Sequence, residues 1–169
     1  MKKINIFCFG FGQVAKNFIK KINTEKFSIN LSVTTREQSK AKQFNEIKYN
    51  NFIFNDEIFD NGLIENLKNS DHILISIPPI NGKDIVIKYF GEVIKEYNPK
   101  WITYLSATSV YGDHKGEWVN EESETNPKSK SGIGRLEAEK SWITFTSNSK
   151  LPFQIFRLSG IYSNQKNIL

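Results

Sequence analysis

Ile4-Asn5-Ile6-Phe7-Cys8-Phe9-Gly10-Phe11-Gly12-Gln13-Val14-Ala15 runs from an apolar strand-like segment through two glycines into a helical pattern. Gly10 permits a tight turn, Gly12 lets the backbone approach a pyrophosphate, and the small Ala15 lets the following helix pack closely on the strand. The unpaired N–H groups and dipole at the helix start favour negative charge with no basic side chain in the loop. Glycine pairs also occur in plain turns, but this one lies between a strand and an amphipathic helix, so Gly10, Phe11, Gly12, Gln13 and Val14 are expected to cradle a dinucleotide.

Beyond the turn, Val14, Ala15, Phe18, Ile19 and Ile22 recur at helical spacing and give a face that should cover a sheet. A second strand is expected over 27–34, a short helix over 36–42, and a third strand around 51–54. Asp71-His72-Ile73-Leu74-Ile75-Ser76-Ile77, stopped by Pro78-Pro79, has the near-continuous apolar character of a central strand buried on both faces. The spacing predicts a helix over 82–97, a strand over 101–106, a long aperiodic segment over 107–130, a helix over 131–147 and a last strand over 153–158. Alternating strands and helices imply an α/β chain with a Rossmann-like, doubly wound parallel sheet. Residues 1–169 are expected to form one nucleotide-binding domain.

The net charge of +5 comes mainly from lysines scattered among Asn and Glu, which favours a solvated surface over a nucleic-acid groove. Cys8 is the only cysteine, so no disulfide forms within the chain and a reducing cytoplasm fits. Asn5, Gly10 and Gly12 break the apolar core that a signal peptide needs, and no stretch is long enough to cross a bilayer. His72 and His114 lie far apart without a cysteine partner, which gives no support for a metal site.

In a doubly wound sheet, an acidic residue about twenty positions beyond the glycine turn takes the adenosine ribose, whereas an arginine accommodates a 2′-phosphate. Here the second strand ends Thr34-Thr35-Arg36, two hydroxyls and a guanidinium without a carboxylate at the tip. That favours NADP over NAD. The alternative is that Arg36 is merely solvated and Glu37 takes the ribose. A methyl-donor cofactor can also use a glycine-rich first turn, but the later motifs argue for a nicotinamide.

Those motifs are Leu105-Ser106-Ala107-Thr108-Ser109-Val110-Tyr111-Gly112-Asp113, Trp118-Val119-Asn120-Glu121-Glu122, Ser131-Gly132-Ile133-Gly134-Arg135-Leu136-Glu137-Ala138-Glu139 and Arg157-Leu158-Ser159-Gly160-Ile161-Tyr162. With Gly10 to Ala15 and Ser76-Ile77-Pro78-Pro79, they occur in an order that resembles the atypical short-chain dehydrogenase/reductases. The resemblance is to the NAD(P)-dependent epimerase/dehydratase family, of extended-type ancestry with an altered active site. It implies that Ser76, Ile77, Pro78, Ser106 and Arg135 border the cofactor, together with Thr34, Thr35, Arg36 and the glycine turn.

The family's chemistry uses a tyrosine that exchanges a proton with substrate, a lysine four residues later, and a serine or threonine that orients the substrate. Positions four apart share a helical face, so tyrosine and lysine both address the nicotinamide. In this chain the resemblance puts Ser131 at the tyrosine position, Arg135 at the lysine position and Ala107 at the hydroxyl position. Serine is a poor proton exchanger near neutral pH, arginine stays protonated and alanine makes no hydrogen bond. Loss of positioned acid–base catalysis typically costs about a hundred- to ten-thousand-fold in rate. A one-residue slip would give the orienting role to Ser106 or Thr108, of which Thr108 lies on the loop side. Tyr111, Asp113 and His114 stand near the expected nicotinamide end, and His114 has a suitable unperturbed pKa. Trp118 is expected either to shield a ligand or to anchor the loop on the sheet edge.

Relatives continue past the Arg-Leu-x-Gly-Ile-Tyr segment with Gly-Pro-Gly and a long segment that forms most of the substrate pocket. Here Ser163-Asn164-Gln165-Lys166-Asn167 follows, so the C-terminal substrate domain is expected to be largely absent. The apolar surface left behind would be covered by a homo-oligomer partner or by the lost segment. The leading expectation is an NAD(P)-binding protein of oxidoreductase or sugar-nucleotide ancestry acting on an unidentified small molecule. The alternative is a non-catalytic NADP(H)-sensing or interaction module.

Overall fold

The computed structural model describes residues 3–24, 27–37 and 43–162. Their elements follow the order β1 (Lys3–Phe9), α1 (Gln13–Thr24), β2 (Ser28–Thr35), β3 (Gln43–Phe44), β4 (Ile47–Ile53), α2 (Gly62–Lys68), β5 (His72–Ile75), α3 (Ile85–Tyr97), β6 (Trp101–Ala107), α4 (Lys130–Ser149) and β7 (Phe153–Leu158). Among the described residues the sheet order is β3-β4-β2-β1-β5-β6-β7, parallel throughout except for the two-residue β3. Omitting β3, this is the order of a dinucleotide-binding doubly wound sheet.

Strand β1 explains why the sheet is covered twice. Ile6 and Cys8 point into an apolar layer completed by Ala15, Ile19, Leu31 and Val33 under α1. Phe7 and Phe9 point the opposite way, into a larger layer with Leu63, Leu67, Phe90, Ile94 and Trp142 from α2, α3 and α4. Strict alternation within one strand thus builds both layers. Burial pushes the Cys8 thiol up to about 12, so it stays protonated as a small apolar side chain. Leu74, Leu105 and Leu158 carry the α1 layer onto β5, β6 and β7. Phe18, Trp101 and Phe156 remain partly exposed around an apolar groove of about 370 Å³.

One expectation needed revision, and one element had not been expected. The third strand starts earlier than expected, at Ile47 rather than near 51, and α2 emerges from a stretch that had suggested no element. The short helix expected over 36–42 falls largely outside the described residues, and Arg36 and Glu37 themselves form a bend.

Asp71 ties the start of β5 to β1. Its carboxylate accepts the Asn5 backbone N–H at 3.0 Å and the Asn5 amide at 3.2 Å, and it pairs with Lys100. Lys100 first, and the Asn5 backbone N–H second, hold its pKa below the ordinary 3.8. A lowered folded pKa contributes stability that is present above 3.8 and lost as pH falls through the folded value. Asp84 has the opposite sign, because burial raises its pKa and its stability contribution declines as pH rises through that raised value. Asp71→Asn is therefore expected to lower thermal stability near neutrality and to narrow its gap to the parent as pH falls below about 4. Melting curves from pH 3 to 7 check this; a gap of constant size across that range would contradict it.

Candidate functional site

The order in which strands are added to the sheet reverses at β1. Strands β2 and β4 lie on one side and β5, β6 and β7 on the other, so a crevice opens between the ends of β1 and β5. Gly10 follows β1 with φ +87°, a conformation that disfavours a side chain. Its N–H donates to Thr34 Oγ1 at 2.8 Å, which fastens the turn to the tip of β2. Ser76 closes the other wall: its N–H donates to the Phe9 carbonyl at 2.9 Å, and its hydroxyl contacts the Phe9 and Gly10 carbonyls at 3.1 Å. A Cβ on Gly10 would meet Ile77 Cγ2 at 2.7 Å, so the two loops touch there.

Gly12 is different. Its φ is not positive, and a Cβ added there would meet no atom within 4 Å. Neither backbone conformation nor internal packing calls for glycine, and its open side faces away from the protein. The first intrahelical bond of α1 runs from Lys16 N–H to the Gly12 carbonyl at 3.0 Å, leaving the preceding amides directed out of the helix end. Open space over a bare backbone, with free N–H groups around it, fits a diphosphate.

The neighbouring side chains have distinct placements. Phe11 turns away from the opening and packs on Phe44 and Tyr49, with ring centroids 5.5 and 5.2 Å apart. Val14 joins the α1 apolar layer, and the Gln13 amide reaches the Tyr162 carbonyl at 3.5 Å. Thr34 is buried beneath the turn, while Thr35 donates to the Glu37 carbonyl at 2.6 Å and bonds Asn51. Arg36 is exposed just past the tip of β2. The Ser106 hydroxyl, at the end of β6, is buried with no hydrogen-bond partner in the structure.

A second opening, of about 660 Å³, lies beside the crevice. Pro78, Pro79 and Gly82 form one wall; Ala107 ends β6 and Ser109 follows it; Lys130, Ser131, Gly134 and Arg135 come from the first turns of α4. The three positions singled out in the sequence as Ala107, Ser131 and Arg135 thus meet in one cleft. Helix α4 reaches it because Gly132 and Gly134 permit close approach: Cβ atoms there would meet the Ser109 carbonyl at 2.7 Å and Gly82 Cα at 3.3 Å. Arg135 turns inward, its Nη1 donating to the Leu105 carbonyl at 3.0 Å and to the Tyr104 hydroxyl at 3.3 Å. Burial pushes the Tyr104 hydroxyl up to about 12 despite that guanidinium, so it stays protonated. Asp84 caps α3, accepting the Val86 and Ile87 N–H groups at 2.9 and 3.1 Å. Burial raises its pKa, opposed by the Trp142 indole, which faces it without closing a hydrogen bond, by those amides and by Arg135.

Thr108 and His114 stand elsewhere. Thr108 borders a different cavity with Tyr111, Glu121 and Arg157. The His114 Nε2 lies 3.1 Å from the Glu124 carbonyl, and its ring meets Tyr111 edge-on. Trp118 neither packs on the sheet edge nor covers the cleft, because it is fully exposed. The long segment is anchored instead by Arg157, which sequence reasoning had not given a role. Its guanidinium contacts Glu139 through Nε at 3.2 Å and Nη2 at 2.8 Å, lies 4.8 Å from the Tyr111 ring centroid, and reaches the Glu121 carbonyl at 3.5 Å. Glu139 is 1% exposed. The Glu139 carboxylate first, and Tyr111 to a lesser degree, push the Arg157 pKa above its ordinary value.

No helix among the described residues is long and apolar enough to cross a membrane, and no cluster of three or more His, Cys, Asp or Glu side chains that could hold a metal occurs among them.

No family model matches the chain, and no curated protein matches it. Solved structures do. A functionally unknown conserved protein from Silicibacter pomeroyi DSS aligns at 29% identity and TM-score 0.77, covering 94% of this chain and 54% of its own. UDP-glucuronic acid 4-epimerase from Bacillus cereus, solved with NAD, aligns at 17% identity and TM-score 0.74, covering 94% and 57%. UDP-N-acetylglucosamine 4-epimerase from Methanobrevibacter ruminantium M1, solved with UDP-N-acetylmuramic acid, aligns at 17% identity and TM-score 0.74, covering 93% and 55%. Over most of its length the chain therefore shares its fold with part of these proteins, two of them sugar epimerases, and it spans about half their length.

Proposed function

We propose that the chain binds a nicotinamide dinucleotide, with its diphosphate on the backbone between Gly10 and Val14. The observation that carries this is Gly12, a glycine that neither its φ nor its packing explains, at a strand-to-helix turn whose amides face outward. The unpartnered Ser106 hydroxyl offers a buried donor near the far end of the same ligand. When bound, the dinucleotide supplies a hydride donor or acceptor. The chain's own residues then decide whether a proton can move with it. Ser131 and Arg135 line the adjoining cleft, but a serine hydroxyl is a weak proton exchanger and Arg135 is a fixed cation. The acid–base step of epimerase/dehydratase chemistry is therefore slow or absent. That favours a second reading, an NADP(H)-sensing module without turnover.

Arg36 is exposed beyond the tip of β2, where a guanidinium suits a 2′-phosphate, so NADP is the preferred form. Fluorescence titration with NADPH and NADH is expected to show tighter NADPH binding. Arg36→Ala should weaken NADPH about tenfold, the scale of one charge-assisted contact, and leave NADH unchanged. Equal affinities before and after the substitution would remove Arg36 from the site while leaving the dinucleotide assignment intact. Hydride transfer to or from bound cofactor, with any of a panel of sugar nucleotides, would exclude the sensor reading.

A further inference from the structure

Among the described residues, the cleft beside the crevice is lined by two cations, Lys130 and Arg135, and by no carboxylate. Arg135 is only half-buried, and its hydrogen bonds to Leu105 and Tyr104 go to neutral oxygens through Nη1 alone. A guanidinium has five N–H donors, so Nη2 and Nε keep capacity for a ligand. Lys130 stands five positions earlier, in the first turn of α4. Two carboxylates stand nearby without lining the cleft: Glu137 lies against Gly82, and Asp84, which accepts the α3 amides, is near enough to Arg135 to feel its charge. Ser109 and Ser131 add hydroxyls to the same lining.

Resting on the dinucleotide reading above, the geometry points to a substrate that carries its own anionic group, a carboxylate or phosphoryl, held in this cleft by Arg135 and Lys130. A neutral sugar brings no counter-charge to either cation as it displaces water from the cleft. An anion satisfies both and gains the bidentate geometry a guanidinium offers. The replacement of a tyrosine–lysine pair by Ser131 and Arg135 thus changes what the cleft selects as well as what it catalyses.

Ligand-observed NMR with D-glucuronate, inorganic phosphate and D-glucose tests this on the full chain, with and without saturating NADP. Glucuronate and phosphate are expected to bind at least about tenfold more tightly than glucose, in both conditions, and Lys130→Gln and Arg135→Gln are each expected to reduce that preference severalfold. Lys130 is exposed, so its variant keeps the test valid if loss of Arg135 disturbs the fold. Equal binding of glucuronate and glucose, absence of binding by either anion, or a preference that survives both substitutions would overturn the proposal. Anion binding that vanishes when NADP is added would assign the cations to the cofactor's own phosphates and overturn it too. Failure of NADP itself to bind would count against the dinucleotide reading, while the measurements without cofactor would still decide the anion preference.

Discussion

Gly12→Val is expected to abolish dinucleotide binding while leaving the free protein about as stable as the parent. The added side chain meets no protein atom within 4 Å of its Cβ, so the fold has room for it. The change falls just before α1, where a branched residue in place of glycine alters stability by no more than about 1 kcal/mol. The same space is where a diphosphate would approach the backbone. Losing two charge-assisted N–H contacts of about 1.5 kcal/mol each corresponds to roughly a hundredfold or more in affinity. Gly10→Val supplies a contrast, because its Cβ would strike Ile77 and Ser76 at φ +87° and should destabilise the protein itself. Calorimetric titration paired with melting curves separates the two. Loss of stability in Gly12→Val would mean that the glycine serves the fold, and unchanged binding would mean that it serves nothing in the crevice.

Replacing Arg157 by methionine is expected to cost about 3–5 kcal/mol of stability. The substitution strands the Glu139 carboxylate, 1% exposed, without the guanidinium that meets it at 2.8 and 3.2 Å. An uncompensated buried charge is expensive because water can no longer solvate it. Most of the loss should return in the double variant Arg157→Met with Glu139→Met, where neither charge remains. Arg157 also lies over Tyr111 and reaches Glu121, so hydrogen exchange at 111–121 should rise more than in β1. Urea unfolding of both variants decides the matter: a loss below about 1 kcal/mol for Arg157→Met would show that Glu139 finds other partners.

The framework of the fold was legible in the sequence because strands buried on both faces announce themselves. The 73–75 run and the prolines after it locate β5, and the glycine turn after Phe9 locates the crevice. Helix α2 was not legible. It spans Gly62–Lys68, buries Leu63 and Leu67, and is too short for periodicity to separate it from a turn. Strand β4 was half hidden, because Asn50 and Asn51 interrupt its alternation although their backbone pairs with β2. The gathering of Ala107, Ser131 and Arg135 in one cleft could be anticipated from the family resemblance, with helical spacing accounting only for the shared face of Ser131 and Arg135. The direction of the Arg135 guanidinium could not, since it depends on the Leu105 carbonyl and Tyr104 hydroxyl of a strand thirty positions away. Nor could the Arg157–Glu139 pair, whose members belong to separate elements and whose spacing carries no pattern.

Everything proposed about function depends on the amides between Gly10 and Ala15 holding a diphosphate. Amide-resolved NMR during titration with NADP tests that most directly. The largest shifts are predicted at Gly10, Phe11, Gly12, Gln13 and Val14, with smaller ones at Ser76 and Ser106, and their disappearance in Gly12→Val. Saturating cofactor that leaves those amides unmoved, or moves only residues remote from the end of β1, would contradict it.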